Sequence, residues 1–194
     1  MDTLTLKVLF TVGFLSAWAI RIPYQKQNKQ HKAVVARQVR QEQCLFVLIY
    51  LGMVLLPFLY VFSPWLSPAD YRPSVWAGAL GVILFTMALW LLWRAHYDLG
   101  KNWSPTLELR EGHTLISSGI YQHIRHPMYS AFWLWSGAQA LLLPNWIAGL
   151  GGLIAFGLTY LLRLSQEEQM LLEQFGDEYR AYMQRTKRLI PYLF

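Results

Sequence analysis

The 194-residue sequence contains a single cysteine and few charged residues. One cysteine excludes an intramolecular disulfide and a zinc site built from cysteine thiolates. As a small apolar residue, Cys44 is expected to be buried. Charged residues make up only 14% of the chain, against 55% hydrophobic residues, whereas a typical soluble domain has roughly 25% charged residues. This deficit favours a protein of the lipid bilayer.

Several cofactor and metal motifs are also missing. The sequence has no P-loop, no GxGxxG fingerprint and no His-Glu-x-x-His pair, and no metal site is expected. The net charge is +6, but the basic residues lie between apolar segments and do not form the pattern of a nucleic-acid-binding surface. We therefore expect membrane topology, and not nucleic acid, to explain them.

Five apolar segments predict a membrane domain of about five helical spans. Pro144-Asn145 separates the last two, and because this pair cannot continue a helix it predicts a tight hairpin. Both arms of the hairpin are short, so a re-entrant pair is the alternative. Glycines and other small residues in both arms predict close packing between them. The predicted spans, within a single domain 1–194, are residues 4–20, 44–62, 73–93, 128–143 and 146–162.

Basic residues are distributed unequally among the connections. Apart from Lys7, the first connection (21–43) holds six Lys or Arg residues, the second holds Arg72 alone and the fourth holds none. The third connection and the tail hold the remaining nine. The positive-inside rule then predicts an all-α integral membrane protein with its N-terminus outside and its C-terminus in the cytoplasm. Polar chemistry is expected on the cytoplasmic side, in residues 94–129 and 163–194.

Polar residues flank the predicted hairpin. Pro127 favours a helix start, and the free backbone N–H groups there suit an anion beside Arg125 and His126. Arg163 and Glu167 lie four residues apart and share a helix face just past the last apolar segment. Simpler interpretations exist, because Arg125 and His126 also suit an interface anchor, and an Arg/Glu pair at this spacing is often a solvated ion pair.

Shorter signals occur around these residues. Residues 107–109 and 114–116 alternate in polarity and favour extended chain on either side of a turn at Glu111-Gly112. His113 alone is more typical of a hydrogen-bonded loop residue than of a catalytic one. Gly176 suits a break or C-cap in the helix of the tail.

Several motifs follow one another in a specific order. They are Gly112-His113-Thr114-Leu115, Ser118-Gly119-Ile120-Tyr121, Arg125-His126-Pro127-Met128-Tyr129, Glu167-Glu168, Phe175-Gly176-x-Glu178-Tyr179-x-x-Tyr182 and Arg188-Leu189-Ile190-Pro191. Together they resemble the isoprenylcysteine carboxyl methyltransferase family over about residues 94–194. The chain resembles a compact, prokaryotic-type member, and its expected location is a prokaryotic cell membrane, or the endoplasmic reticulum if the source is eukaryotic.

The resemblance implies an activity and a set of site residues. The activity is methyl transfer from S-adenosyl-L-methionine to the carboxylate of a lipophilic, isoprenylcysteine-like substrate that enters from the membrane lipid, with S-adenosylhomocysteine as product. Arg163 would bind the substrate carboxylate and serve catalysis there, and the role of Glu168 stays open. The cofactor-binding residues implied by the motifs are His113, Thr114, Leu115, Ile116, Tyr121, His126, Pro127, Met128, Tyr129 and Glu167.

The residue types fit this chemistry. Glu167 can accept hydrogen bonds from an ammonium or a ribose, and His126 can hold a carboxylate together with backbone N–H groups. Leu115 and Ile116 offer apolar cover for adenine. A substrate carboxylate is already ionised at neutral pH, so its methylation needs no dedicated base.

Three other functions remain open at this point. A methyltransferase could act on another lipid or isoprenoid nucleophile, but an amine would need a base, for which His113 or a tyrosine is the candidate. An NADPH-dependent, sterol-reductase-like enzyme shares an Arg-His-Pro motif, although the chain is short for one. A non-catalytic adaptor or small transporter is the third, but its spans would lack ionisable groups apart from Lys7.

Overall fold

The computed structural model describes residues 1–28, 33–36, 39–106, 108–110 and 114–193. Within these ranges the chain is mainly helical, and a π-helical turn, Leu51–Leu55, joins the second and third α-helices into one column. Two short strands, β1 (Ala33–Ala36) and β2 (Glu108–Arg110), pair antiparallel. The α-helices are α1 (Thr3–Asn28), α2 (Val39–Tyr50), α3 (Leu56–Phe62), α4 (Val75–Leu99), α5 (Pro127–Leu142) and α6 (Trp146–Arg185), with 3-10 turns at Ser67–Ala69, Gly100–Asn102 and Gly119–Gln122.

The helices form one bundle with an aromatic core. Helix α4 packs against α1 and α5, and α6 packs against α5 and the α2–α3 column. The ring centroid of Phe85 on α4 lies 5.8 Å from that of Phe10 on α1 and 5.4 Å from that of Trp135 on α5. All three side chains are buried, so these aromatic contacts connect three helices at the centre of the bundle.

The outer surface of the bundle is apolar. Large exposed side chains recur at helical spacing, and in water such a continuous apolar surface would be unfavourable. In the described part of the chain, four helical columns have the length and composition of a membrane span: Thr3–Gln27, Arg40–Phe62, Val75–Asn102 and Trp146–Arg185. The predicted helical membrane architecture is thus confirmed. The exposed residues include Val8, Val12 and Leu15 on α1, Ile83, Met87 and Trp90 on α4, and Ile154, Leu158 and Leu161 on α6.

The fourth predicted span, residues 128–143, is observed as α5, which has only 16 residues. At its start, the His126 backbone N–H donates to the carbonyl of Arg188 in the tail at 3.0 Å. Just after its end, the Pro144 carbonyl accepts a hydrogen bond from the Tyr71 N–H, in the connection after α3, at 3.1 Å. The two ends of α5 therefore contact different connections, the tail at its start and the chain between α3 and α4 at its end. The number of membrane crossings and their orientation stay predictions.

The turn predicted at Pro144-Asn145 is present, and Asn145 stabilises it. Its side-chain oxygen accepts hydrogen bonds from the backbone N–H groups of Ile147 and Ala148, at 3.1 and 2.9 Å, and so caps α6. Its amide nitrogen donates to the Leu66 carbonyl at 2.6 Å. One asparagine thus starts α6 and fixes it to the preceding connection.

The small sheet joins the first and third connections. The extended chain predicted around 107–109 is observed as β2, Glu108–Arg110, but its partner is β1 in the first connection. Residues 107 and 111–112 lie outside the described residues, and 114–116 form no strand. Alternating polarity indicates an extended backbone without indicating which strand it pairs with, so the sheet is an addition to the predicted all-α fold.

Helix α6 is longer than predicted. At 40 residues it is about 60 Å long, twice the roughly 30 Å of hydrocarbon in a bilayer. The apolar part, 146–162, is the predicted span, and the charged part from Arg163 onward extends beyond it. Gly176, with φ 53°, interrupts the helix where a break was predicted, but the helix resumes and ends at Arg185.

The prediction that Cys44 is buried is wrong. Cys44 is exposed on the outer side of α2, whereas the adjacent Leu45 is 6% exposed and faces the bundle. In a bilayer the outer surface of a helix is apolar as well, so the preference of a thiol for apolar surroundings does not select the inner face.

Candidate active site

A cavity of about 410 Å³ lies between the helices at the end of the bundle that carries the third connection and the tail. Its size is within the roughly 300–1,000 Å³ typical of small-molecule sites. Along α6 its lining changes from Phe156 to Arg163 and then Glu167, and along α5 from Trp135 to Tyr129. The cavity therefore has an apolar part inside the bundle and a polar part next to the connections.

The structure brings most of the predicted site residues together. Arg163 lines this cavity, and so do nine of the ten residues predicted to bind the cofactor. The tenth, His113, lies outside the described residues. Their binding roles stay predictions. Their location at one cavity is a finding of the structure, because sequence spacing alone does not bring them together. The nine are Thr114, Leu115, Ile116, Tyr121, His126, Pro127, Met128, Tyr129 and Glu167.

Three of these residues form a buried polar group. The Tyr129 hydroxyl donates to Glu167 Oε2 at 2.5 Å, and His126 Nδ1 lies 3.6 Å from Glu167 Oε1. The rings of His126 and Tyr129 stack with centroids 5.4 Å apart. This arrangement follows from the start of α5 at Pro127, which puts His126 at the helix cap and Tyr129 in the first turn.

The adjacent Glu168 points to a second set of charges. Its Oε1 lies 3.3 Å from His126 Nε2 and 3.1 Å from Arg125 Nη2, and its Oε2 accepts from Arg188 Nη2 at 2.7 Å. The role of Glu168, left open by the sequence, is thus to connect the Arg-His-Pro motif with the tail. His126 lies between the two glutamates and interacts with both.

The electrostatics of this cluster favour charged forms at neutral pH. Burial disfavours a charged imidazole, but hydrogen bonds and charge interactions with Glu167 and Glu168 outweigh it and raise the pKa of His126 above its ordinary 6.5. Burial also opposes ionisation of Glu167 and Glu168. The hydrogen bonds to each glutamate, that of His126 first, nevertheless lower the pKa of both to about 2.

The tail is attached to the same motif by backbone hydrogen bonds. The Arg125 N–H donates to the Lys187 carbonyl at 2.8 Å, and the Ser130 hydroxyl donates to the Leu189 carbonyl at 2.7 Å. The Arg125 guanidinium also donates to the Thr186 carbonyl. The chain after α6 therefore holds the start of α5 in place.

Arg163 contacts two residues that the sequence did not identify. Its Nη2 donates to the Pro105 carbonyl at 2.9 Å and lies 3.5 Å from Glu42 Oε2 on α2. Its Nε is buried and makes no hydrogen bond within the described part of the chain. The guanidinium is thus held at the cavity wall by α2 and the third connection, and it keeps a donor unused.

Asn102 positions the next stretch of the cavity wall. Its side-chain oxygen accepts from the Thr114 N–H at 3.1 Å, and its amide lies 3.4 Å from the Thr114 hydroxyl. These bonds hold Thr114 against the end of α4. Leu115 and Ile116 follow directly and line the cavity.

Three charged residues at the site were missed from the sequence. In the sequence, Glu42 lies in a basic connection and Arg188 belongs only to the last of the motifs. Arg21 was assigned to the first connection, but it lies within α1 and lines the cavity. An acidic residue just before an apolar span, as at Glu42, is the one signal that was available, because isolated charges at a membrane boundary need a partner.

The fold and the cavity together define an integral membrane protein with an internal cavity of small-molecule size at one end of its helical bundle. Residues 80–173 match the model of the isoprenylcysteine carboxyl methyltransferase family. This match confirms the resemblance to the family that the motifs showed.

Curated relatives agree with the family model. The chain is 28% identical over 126 residues to the protein-S-isoprenylcysteine O-methyltransferase of Homo sapiens, a match that covers 64% of this chain and 44% of that protein. It is 28% identical over 152 residues to the protein of the same name from Dictyostelium discoideum, covering 75% and 57%. The chain therefore spans about half the length of the curated relatives it matches.

A solved structure has a similar fold. It is described as the eukaryotic intramembrane Ras methyltransferase ICMT, and it superimposes with a TM-score of 0.52 at 25% sequence identity. The match covers 82% of this chain and 55% of that chain. The similarity thus extends beyond the family motifs to helices in the N-terminal half.

Proposed function

We propose that the protein transfers a methyl group from S-adenosylmethionine to the carboxylate of an isoprenylcysteine-like lipid at the membrane. The observation that carries the proposal is one cavity that joins the His126–Tyr129–Glu167 group to an apolar interior. A small polar donor and a lipid acceptor could therefore meet inside a single site. The match of residues 80–173 to the methyltransferase family supports the same reaction.

The residues present fit the donor. Glu167 supplies a carboxylate for an ammonium or ribose hydroxyls, and its low pKa keeps that carboxylate ionised. His126, whose pKa is raised by Glu167 and Glu168, and the backbone N–H groups at the start of α5 supply hydrogen-bond donors for a carboxylate. Leu115 and Ile116 line the cavity as apolar cover for a purine. S-adenosylmethionine, when bound, supplies an electrophilic methyl group on a sulfonium.

The acceptor can reach the cavity from the lipid. Trp18 on α1 and Phe46 on α2 both line the cavity, and they are 56% and 38% exposed on the outer surface of the bundle. Helix α1 packs on α4 and α5, whereas α2 packs on α6. This side of the bundle, between α1 and α2, is therefore the proposed lateral entrance for a prenyl chain.

The protein's own contribution to catalysis would be positioning. A carboxylate acceptor is ionised at neutral pH and carries its own nucleophile, so no residue needs to remove a proton. Arg163 is held at the cavity wall by the Pro105 carbonyl and Glu42, and it would orient the carboxylate through a two-point hydrogen bond. Enclosure between helices would exclude water from the reacting groups.

A donor-labelled assay tests this function. Purified protein in lipid nanodiscs is given labelled S-adenosylmethionine with N-acetyl-S-farnesylcysteine, with its carboxamide, or with phosphatidylethanolamine. Base-labile label on the carboxylate lipid alone is the expected result. Label on the phospholipid would instead support another lipid nucleophile, and calorimetric binding of NADPH without binding of S-adenosylhomocysteine would support a reductase. The prokaryotic cell membrane as location stays a prediction, to be tested by fractionation of the native host.

A further inference from the structure

Arg21 is a charged residue at the cavity for which the proposed function has no role. Helix α1 continues through it to Asn28, and its partly buried side chain lines the cavity. Its guanidinium carbon lies 5.4 Å from the ring centroid of Trp103 and 5.5 Å from that of Phe132. Among the residues that the structure describes, no carboxylate forms an ion pair or hydrogen bond with Arg21.

This environment leaves the hydrogen-bonding capacity of Arg21 unused. A buried positive charge without an anion costs free energy, and cation–π contacts offset only part of that cost. Aromatic rings accept no conventional hydrogen bond, so the N–H donors of Arg21 remain available to a ligand. The side chain is therefore held in position by Trp103 and Phe132 but is not neutralised by them.

A second guanidinium faces the same cavity. Arg163 on α6 lines it, and the positive charge of Arg163 acts unfavourably on that of Arg21. The buried Nε of Arg163 has no hydrogen-bond partner in the described chain. Two like charges at one cavity repel each other, and an anion that contacts both would lower the energy of each. The arrangement thus favours an anionic ligand over an amine.

The position of Arg21 on α1 indicates the kind of anion. Phe14, Trp18, Arg21 and Gln25 all line the cavity and recur every three or four residues, so they form one stripe along the helix. Phe14 and Trp18 provide an apolar surface on the lipid side, and Arg21 follows at its boundary with the polar part. A molecule with an apolar chain ending in a carboxylate matches this order of surfaces.

We infer that Arg21 binds the carboxylate of the methyl acceptor together with Arg163, as a two-arginine site at the polar end of the α1 stripe. The inference rests on the proposed function and names a second acceptor-binding residue for it. The two guanidinium groups come from the first and last helices, so binding of the acceptor would also connect the two ends of the chain. A neutral carboxamide of the same lipid would lose the charge-assisted hydrogen bonds to both arginines.

The carboxylate of S-adenosylmethionine is the other possible source of the same chemistry. It would compete for Arg21 only if the donor extended toward the apolar stripe. The two sources predict different losses, because an acceptor site affects lipid binding and a donor site affects binding of S-adenosylhomocysteine. The test therefore measures both ligands on the same variants.

The experiment uses full-length protein in nanodiscs, with binding of N-acetyl-S-farnesylcysteine and of its carboxamide measured separately from turnover. For the native protein, tighter binding of the carboxylate is expected. Arg21→Gln should raise the Kd of the carboxylate by about 10- to 100-fold, the loss typical of a hydrogen bond to a charged group. The Kd values of the carboxamide and of S-adenosylhomocysteine should stay within about twofold of the native values, as expected for a residue that does not contact these ligands. Arg21→Lys keeps the charge, so its Kd for the carboxylate should lie between those of the native protein and Arg21→Gln.

Arg40→Gln is the matched control, because Arg40 is exposed at the start of α2 and does not line the cavity. An unchanged preference for the carboxylate in Arg21→Gln would overturn the inference. So would a selective loss of S-adenosylhomocysteine binding at an unchanged melting temperature, which would assign Arg21 to the donor. If the melting temperature of Arg21→Gln is well below that of the native protein, Arg21→Lys provides the same comparison of carboxylate and carboxamide binding.

Binding and turnover separate this inference from the proposed function. A native protein that binds the lipid carboxylate through Arg21 but transfers no methyl group would refute the reaction and leave the two-arginine site standing. A native protein that methylates the lipid while Arg21→Gln keeps its carboxylate preference would refute the site and leave the reaction standing.

Discussion

Glu168 accepts a hydrogen bond from Arg188 through Oε2 at 2.7 Å, and this pair closes the tail over the start of α5. Glu167, one residue earlier, turns to the cavity and accepts from the Tyr129 hydroxyl. Adjacent residues on a helix point about 100° apart. Two neighbouring glutamates can therefore serve different purposes, one facing the ligand site and one holding the chain that forms it.

Replacing Glu167 by Gln should weaken donor binding. The amide keeps the shape of the side chain but loses the charge that an ammonium or ribose would contact, so the Kd of S-adenosylhomocysteine should rise about 10- to 100-fold. Isothermal titration in detergent measures it. Glu173→Gln, exposed on the same helix, should leave the Kd unchanged. Equal effects of both variants would contradict a specific role for Glu167.

Replacing Glu168 by Gln should mainly lower stability. The change leaves the guanidinium groups of Arg125 and Arg188 without their shared carboxylate, and removal of one partner from a buried ionic group costs about 3 kcal/mol. We expect a melting temperature several degrees below that of the native protein, measured by intrinsic tryptophan fluorescence. Arg188→Met should lower the melting temperature less than Glu168→Gln does. Arg188 is the more exposed of the two arginines, and its loss leaves the ion pair between Arg125 and Glu168 in place. An unchanged melting temperature in both variants would show that the tail is held by its backbone bonds alone.

Stability should be highest in mildly acidic to neutral solution. The carboxyl groups of Glu167 and Glu168 have a pKa of about 2 instead of 4.5, so their contribution is complete above pH 4.5 and is lost as the pH falls toward 2. The pKa of His126 is raised above 6.5, so its contribution is complete below pH 6.5 and is lost as the pH rises through the raised value. Melting temperatures across the pH range measure both the acidic limb, where stability falls toward pH 2, and the alkaline limb, where it falls above pH 6.5.

His126→Gln should remove the alkaline limb of this profile. The control is His123→Gln, because His123 is exposed and its side chain hydrogen-bonds only to Gln122 among the described residues. An alkaline limb that persists in His126→Gln would mean that another group titrates there.

The helices of this protein could be predicted from the sequence because each depends on a local apolar pattern. The break at Pro144-Asn145 was also predictable, since proline cannot continue the preceding helix. The ends of α1 and α6 could not be located in this way. Charged residues terminate an apolar run, but a helix continues past them wherever its polar part packs on other protein, as α6 does through Arg185.

The site was predictable only in part. The resemblance supplied the residues of the Arg-His-Pro motif and Glu167, which lie near one another at the cavity. Arg21 and Glu42 come from the first two helices, and their places at the cavity depend on how distant helices pack. The local sequence of Arg21 does not differ from an ordinary membrane boundary, and the acidic Glu42 before an apolar span indicates a partner without indicating which one. The pairing of β1 with β2 was missed for the same reason.

The contact between the π-helical turn and α6 should be sensitive to added volume. A Cβ at Gly52 would lie 2.4 Å from the Gly151 carbonyl oxygen, and Gln139 Nε2 donates to the Gly52 carbonyl at 2.9 Å. Gly52→Ala should therefore destabilise by about 1–3 kcal/mol, the usual cost of overpacking. Gly137→Ala is the control, because its nearest neighbour would be 3.6 Å away. A melting temperature that falls no further in Gly52→Ala than in Gly137→Ala would show that the turn accommodates the added Cβ.

Replacing Arg163 should impair use of the carboxylate acceptor while sparing donor binding. The guanidinium is already positioned by the Pro105 carbonyl and lies 3.5 Å from Glu42. Arg163→Lys keeps the charge but loses the planar two-point hydrogen bond, so kcat/KM for N-acetyl-S-farnesylcysteine should fall about 10- to 100-fold. The Kd of S-adenosylhomocysteine should stay within about twofold, as for a residue that the donor does not contact. Arg180→Lys, exposed on the same helix, should change neither quantity. Loss of S-adenosylhomocysteine binding in Arg163→Lys, with a native melting temperature, would instead assign Arg163 to the donor, and then Arg21 alone would face the acceptor.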